Sequence, residues 1–268
     1  MDDSTIIRDP WSGARRYTPA RVALGRAGGS LPTAEVLDFA AAHAAARDAV
    51  RAELDVRALA ETLAIAGLPI VTVDSAAADR PTYLQRPDLG RRLSNAGRDA
   101  VKAAAPADGC DIAIIVADGL SALAADRHAA PLVTALASAL RERGLRGGPL
   151  CVARQARVAI EDEIGELLGA RLALILLGER PGLGAADSLG AYFVHDPRPG
   201  RTDAERNCVS NIRPAGLPIP AAVETLVYVM TESLRRGISG VALKDERAGT
   251  TIADAAGDGR APRALDVS

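Results

Sequence analysis

Aromatic side chains are scarce in this chain: two Phe, four Tyr and one Trp make up 3% of 268 residues. Its core must therefore be filled by Ala, Leu, Val and Ile, and recognition by stacking on bases or sugars is not expected. An excess of one charge is also missing. Lys plus Arg number 32 against 34 Asp plus Glu, a formal net charge of −2, so the basic surface that follows a nucleic-acid backbone is absent and no nucleic-acid partner is expected. The three cysteines, Cys110, Cys151 and Cys208, are odd in number, widely spaced and without a CxxC pair; neither a disulfide framework nor a zinc ribbon is indicated, and a reducing cytoplasm fits best. His43, His128 and His195 lie far apart without HExxH, which leaves core or solvated histidines rather than a metal site. Residues 1–17 are polar with no apolar h-region, and no later run is long enough to span a bilayer, so a soluble, unexported protein without membrane contact is expected. Gly25, Gly28 and Gly29 do not form GxGxxG, and neither GxxxxGK[ST] nor GxSxG occurs.

What is present is an ordinary globular balance, 48% hydrophobic and 25% charged residues, in a chain large enough to hold a core without disulfide or metal staples. Up to residue 30 the sequence is broken by Pro10, Gly13, Pro19, Gly25, Gly28 and Gly29 and reads as an extended arm. Thr33 is a plausible N-cap, and the run to residue 66 has a helical composition interrupted at 54–56. Beyond Gly67, short apolar runs at 70–73, 112–116, 150–153, 172–177 and 241–243 alternate with helical segments. That pattern predicts an α/β fold: a Rossmann-like, largely parallel sheet covered by helices on both faces. The clearest helix starts at Pro220, carries Val223, Leu226, Val227, Met230 and Leu234 as a stripe, and stops at Gly237. The expected organisation is an arm and helical region over 1–66, the sheet domain over 67–246, and a flexible tail over 247–268.

In open α/β sheets ligands bind beyond the carboxyl ends of the strands. Three loops there carry informative residues: Asp118-Gly119-Leu120-Ser121, where Ser121 is placed to cap a helix; Arg154-Gln155-Ala156-Arg157-Val158; and Gly178-Glu179-Arg180-Pro181-Gly182. Any one alone is an ordinary connection; together they can form one rim. Glu161-Asp162-Glu163 with Glu166 suits paired carboxylates for acid–base work, a cation site or, more simply, the acidic first turn of the helix leading to Leu168. Asp126-Arg127-His128 begins like the D-x-H-x-x-G box of some corrinoid proteins but lacks the glycine and reads as structural. Cys208 has no histidine near it in sequence, which favours a soft packing or ligand contact over a nucleophile.

Several long segments agree with one family at once. Tyr83-Leu84-Gln85-Arg86-Pro87-Asp88-Leu89-Gly90-Arg91-Arg92, Asp118-Gly119-Leu120-Ser121, Arg157-Val158-Ala159-Ile160-Glu161-Asp162-Glu163-Ile164-Gly165-Glu166, Gly178-Glu179-Arg180-Pro181-Gly182-Leu183-Gly184 and Cys208-Val209-Ser210-Asn211-Ile212 closely resemble the small (light) subunit of ethanolamine ammonia-lyase, in the same order over about residues 21–243. The resemblance implies an adenosylcobalamin-dependent lyase that converts ethanolamine to acetaldehyde and ammonia by a radical mechanism. It also implies a hetero-oligomer: a TIM-barrel large subunit carries the substrate site, this chain supports the corrin, and the chain alone is inactive. By motif position, the family's cobalamin contacts fall on Val158, Glu179 and Cys208, with no catalytic residue and no metal ligand in this chain. Because that family keeps the cofactor's own dimethylbenzimidazole on cobalt, no protein histidine is required. Some relatives begin with an amphipathic extension that directs them into a protein-shelled microcompartment; residues 1–16 are short, polar and contain Pro10 and Gly13, so free cytoplasm is expected here. The alternative from the residues alone is a stand-alone α/β nucleotide- or phosphate-binding module resting on Asp118-Gly119 and the Glu179 turn.

Overall fold

The computed structural model of the chain describes residues 5–64, 67 and 69–247. The predicted arm is mostly irregular, with two short strands, β1 (Ile6–Ile7) and β2 (Arg26–Ala27), paired antiparallel around a 3-10 helix at Pro10–Tyr17. The helical run splits where expected, into α1 (Thr33–Arg51) and α2 (Val56–Leu63). Thr33 is the first residue of α1 rather than its cap; Pro32 holds the cap position without a side-chain bond, whereas Asp55 caps α2 by accepting the Ala58 N–H. The tail expected to be flexible lies, beyond Arg247, outside the described residues.

Four apolar runs form parallel strands: β3 (Ile70–Asp74), β4 (Cys110–Ala117), β5 (Leu150–Arg154) and β6 (Ala170–Gly178), in the spatial order β3-β5-β4-β6. Period-two alternation sends Ile112, Ile114 and Val116 of β4 to one face and Ala113, Ile115 and Ala117 to the other. The first face is covered by α2, α5 (Ala122–Glu142) and α7 (Ile219–Arg236), the second by α4 (Asn95–Ala104) and α6 (Ile160–Leu167), while the short α3 (Arg80–Gln85) lies in the connection from β3 to α4. Alanines of α5 such as Ala122, Ala125 and Ala129 are fully buried against the sheet, and the scarcity of aromatics is met by this close aliphatic packing. Each buried leucine there, Leu132 or Leu136 for example, contributes about 1.5–3 kcal/mol of transfer free energy. As predicted, α7 ends at Gly237, which adopts φ 68° while its N–H bonds Ser233 O at 2.8 Å; Pro220 is the second residue of that helix, after Ile219.

The largely parallel sheet needs correction, because the six-stranded sheet is mixed. Beyond β6 it continues with β7 (Leu189–His195) and β8 (Arg206–Ile212), each antiparallel to its neighbour. The link between β6 and β7, residues 179–188, is shorter than the dozen or more residues of a parallel crossover and makes a hairpin instead. β8 escaped sequence reading because it is an edge strand with polar, exposed positions, so its segment resembles a loop. The apolar run at 241–243 is not a strand. It forms a 3-10 turn, Gly240–Ala242, fastened to β8 by Asn207 Nδ2, which donates to Gly240 O (3.2 Å) and Leu243 O (3.0 Å); Leu243 is apolar because it is buried in the core.

At the carboxyl ends of the central strands two glycines let backbones touch. Gly119 has φ 56°, a Cβ on Gly178 would stand 1.9 Å from Ser121 O, and the Leu120 N–H donates to Gly178 O at 2.9 Å. Gly178→Ala must push the β4 and β6 ends apart, and we expect a loss of about 3 kcal/mol or more in stability by urea unfolding; an unchanged midpoint would contradict this packing.

Candidate functional site at the strand carboxyl ends

The rim is organised by Asp118, the residue after β4, which is only 2% exposed. Its Oδ2 accepts the Gln155 N–H (2.9 Å) and its Oδ1 the Ala156 N–H (3.1 Å), while Arg80 Nη1 lies 3.4 Å from Oδ2. These bonds fix the loop after β5, where Gln155 takes the strained φ of 53°. Burial pushes the Asp118 carboxyl up, and the backbone N–H groups and Arg80 oppose the rise. Arg80 is itself buried and donates from Nε to Val50 O (2.9 Å) and from Nη1 to Gly119 O (2.9 Å).

Tyr83 stands between two guanidiniums, with Arg80 Cζ 4.8 Å and Arg157 Cζ 4.5 Å from its ring centre. Its hydroxyl donates to Ala156 O at 3.2 Å, and burial pushes the phenol up to about 12. Arg157 donates from its backbone to Gly90 O (2.8 Å) and from Nη2 to Tyr83 O (3.1 Å). Three segments remote in sequence, around 83–92, 118–121 and 155–158, are thus joined by bonds that no single motif contains.

Beside them opens a cleft of about 1170 Å³ whose lining includes Tyr83, Leu120, Val158, Glu179, Tyr192 and Arg201. Val158 is half-buried in the loop between β5 and α6. Glu179 follows β6 directly; its N–H donates to Ser188 O (2.9 Å), and its Oε2 accepts both the Ser188 hydroxyl and the Asn211 N–H, the latter at 3.1 Å. Two donors, one just before β7 and one in β8, therefore orient this carboxylate. Cys208 pairs with Tyr192 across the β7–β8 ladder, so it sits next to a lining residue rather than in the wall itself. Although the residue is exposed, desolvation of its thiol pushes the pKa up, against a hydrogen bond with Tyr192. A raised thiol pKa makes a poor nucleophile at neutral pH. The Tyr192 phenol is likewise raised, chiefly by burial and then by Cys208. Val158 and Glu179 share the cleft, and Cys208 stands one contact away.

The remaining motifs fall on the helices α5 and α6. Asp126-Arg127-His128 lies within α5, and His128 is buried 3.5 Å from Asp187. Among the described residues no group of three or more His, Cys, Asp or Glu is arranged to hold a metal ion, and no helix is long and apolar enough to cross a membrane. Glu161, Asp162 and Glu163 do form the first turn of α6, where each also binds a partner from a distant segment. Glu163 accepts the Leu93 N–H (2.8 Å) and Arg98 Nε (2.7 Å), while Glu161 and Asp162 are buried around Arg206. Burial of two consecutive acidic positions, Glu161 and Asp162, is not signalled by spacing; only a basic residue on a distant strand, Arg206, explains it.

Fold and cleft together define an α/β protein with a roomy polar-and-aliphatic site at the carboxyl ends of its parallel strands. The family model described as ethanolamine ammonia-lyase light chain matches residues 8–244. The chain is 53% identical over 244 residues to the ethanolamine ammonia-lyase small subunit of Ralstonia nicotianae, with 90% of each chain covered. It is 53% identical over 260 residues to that of Azotobacter vinelandii, with 96% of each covered, and 52% identical over 248 residues to that of Pseudomonas syringae pv. tomato, with 92% of this chain and 86% of the relative covered. The chain belongs to the ethanolamine ammonia-lyase small-subunit family, and so to the lyases.

Burial pushes the thiols of Cys110 and Cys151 up to about 11 and about 12. At pH 8 their thiolate fractions are then about a thousandth and a ten-thousandth, and neither sulfur is accessible. Iodoacetamide should alkylate Cys208 at least about tenfold faster than the other two in the folded chain, as read by peptide mass spectrometry; earlier labelling of Cys110 or Cys151 would contradict the packing.

Proposed function

We propose that this chain is the corrin-supporting small subunit of an adenosylcobalamin-dependent ethanolamine ammonia-lyase, which converts ethanolamine to acetaldehyde and ammonia by a radical mechanism. In this reading a TIM-barrel large subunit carries the ethanolamine site, the pair works in the cytoplasm, and residues 67–246 form the cofactor-supporting unit. One observation carries it: in a chain matched to the family from residue 8 to 244, the cleft at the strand ends is walled by Val158 and by a Glu179 carboxylate already oriented by Ser188 and Asn211.

The residues fit the group. A corrin ring with amide arms needs acceptors for amide N–H groups, donors for amide oxygens and aliphatic contact along the ring. Its bulk also needs more room than the ~300–1,000 Å³ that holds an ordinary small ligand, which the cleft of about 1170 Å³ provides. With Oε2 committed to Ser188 and Asn211, Glu179 offers Oε1 as an acceptor to an amide arm. Val158 supplies apolar contact without a hydrogen-bonding demand, and Cys208 supplies a soft, protonated sulfur beside Tyr192. When bound, adenosylcobalamin supplies the radical chemistry; this chain holds and orients it. A stand-alone phosphate-binding module is disfavoured, because the Asp118 carboxylate is taken up by Gln155, Ala156 and Arg80, and the Leu120 N–H that could meet a phosphate donates to Gly178 O.

The isolated chain should neither deaminate ethanolamine nor retain cobalamin on gel filtration, and both properties should appear once the large subunit is added. Turnover by the purified chain alone would contradict the reading. In the reconstituted enzyme Glu179→Ala removes a charge-assisted acceptor and should raise half-saturation by adenosylcobalamin about tenfold or more, with the ethanolamine KM within about twofold. Unchanged cobalamin dependence would remove Glu179 from the site.

A further inference from the structure

Arg206 opens β8 and is 8% exposed, inside the body of the protein rather than on the cleft. Its Nη1 donates to Glu161 Oε1 (2.8 Å) and Asp162 Oδ1 (2.7 Å), and its Nη2 to Asp162 Oδ2 (2.7 Å) and Arg201 O (3.0 Å). The bidentate pair with Asp162 fixes distance and orientation together. Both ends of this clamp lead to the cleft. Val158 lies four residues before Asp162, Cys208 lies two after Arg206, and Asp162 and Arg201 themselves belong to the cleft lining. The segment between β7 and β8, residues 196–205, contributes Pro199, Arg201 and Asp203 to that lining and is braced internally by Arg201 on Asp196 Oδ2 (2.7 Å).

The cluster is poorly built for stability alone. Two buried acids flank one base, with the exposed Asp203 Oδ1 3.8 Å from Arg206 Nε, and Glu161 Oε2 and Arg206 Nε are buried without hydrogen-bond partners. Burial pushes the Glu161 carboxyl well up while the Arg206 guanidinium is held charged. Aliphatic side chains of similar volume often serve stability as well as such a cluster, without the desolvation cost. What they do not supply is a fixed register between the first turn of α6 and the start of an exposed edge strand.

Resting on the corrin-supporting reading, we propose that Arg206 is a positioning residue for cofactor binding: through Asp162, Glu161 and the Arg201 carbonyl it holds the Val158 loop and the Cys208 strand at a fixed separation across the cleft. It touches no cofactor; it sets the width of the site.

The test uses the reconstituted two-subunit enzyme. Arg206→Lys keeps the charge and loses the fork, whereas the triple variant Arg206→Met, Glu161→Gln, Asp162→Asn removes the charges that would otherwise be stranded. In either variant that assembles, retention of hydroxocobalamin, followed by its visible absorbance, should weaken about tenfold or more, with kcat at saturating adenosylcobalamin within about threefold of wild type. A merely structural role predicts a lower Tm with unchanged cobalamin retention, and that result overturns the proposal. If neither variant assembles, hydrogen exchange on the wild-type complex decides: hydroxocobalamin should protect amides of 158–166 and 199–208 together, and protection of one segment without the other overturns it. A wild-type complex that retains no hydroxocobalamin at all overturns the functional reading and this inference with it, whereas a wild type that binds normally beside a well-folded variant that also binds normally overturns this inference alone.

Discussion

The site depends on one buried carboxylate. Asp118 leaves β4, one of the two inner strands of the parallel group, and turns inward, so that two backbone N–H groups of the loop after the neighbouring β5 and one buried guanidinium close on it. Removing such a group from water is costly unless its oxygens are satisfied, and they are satisfied only if the β5 loop adopts the left-handed Gln155 conformation. That conformation delivers Ala156 to the Tyr83 hydroxyl and Arg157 to Gly90. It also fixes the path on which Val158 reaches the cleft. A polar residue in the sheet layer thus converts an ordinary set of strand ends into a shaped rim.

The far wall comes from a different source. An all-parallel sheet would have ended at β6 and left Glu179 on an open edge. The hairpin to β7 and the return in β8 instead bring Ser188 and Asn211 to its carboxylate and set Cys208 against Tyr192. The antiparallel extension therefore orients the acceptor and supplies the second side of the cleft. Its own position is held by Arg206 reaching back to α6. Parallel core and antiparallel wing meet across the cleft.

Much of this was legible in the sequence. Continuous aliphatic runs marked β3 to β6 because strands buried on both faces cannot carry polar residues, and Gly237 marked the end of α7 because its backbone is left-handed. The motif loops carrying Val158 and Glu179 fell on one rim, as strand-end geometry requires. β7 and β8 were not legible. Gly190 leaves β7 an apolar run of only four residues, 191–194, beside the Gly- and Pro-rich turn before it, and β8 is an edge strand whose outer positions face solvent and lack the hydrophobic signal of a central strand. The apolar run at 241–243 misled for the opposite reason: one buried residue, Leu243, in a turn mimics a short strand. The acidic turn of α6 was placed correctly, yet its burial depends on a partner 44 residues away, Arg206, which no local pattern can reveal.

The central claim is that the cleft beyond β5 and β6 in this chain supports the corrin. A structure of the two-subunit complex with hydroxocobalamin tests it most directly. The account predicts the macrocycle or its amide arms within contact distance of Val158, Glu179 and Cys208, with Glu179 still bonded to Ser188 and Asn211. A corrin seated wholly within the large subunit, with this cleft filled only by solvent, would contradict it.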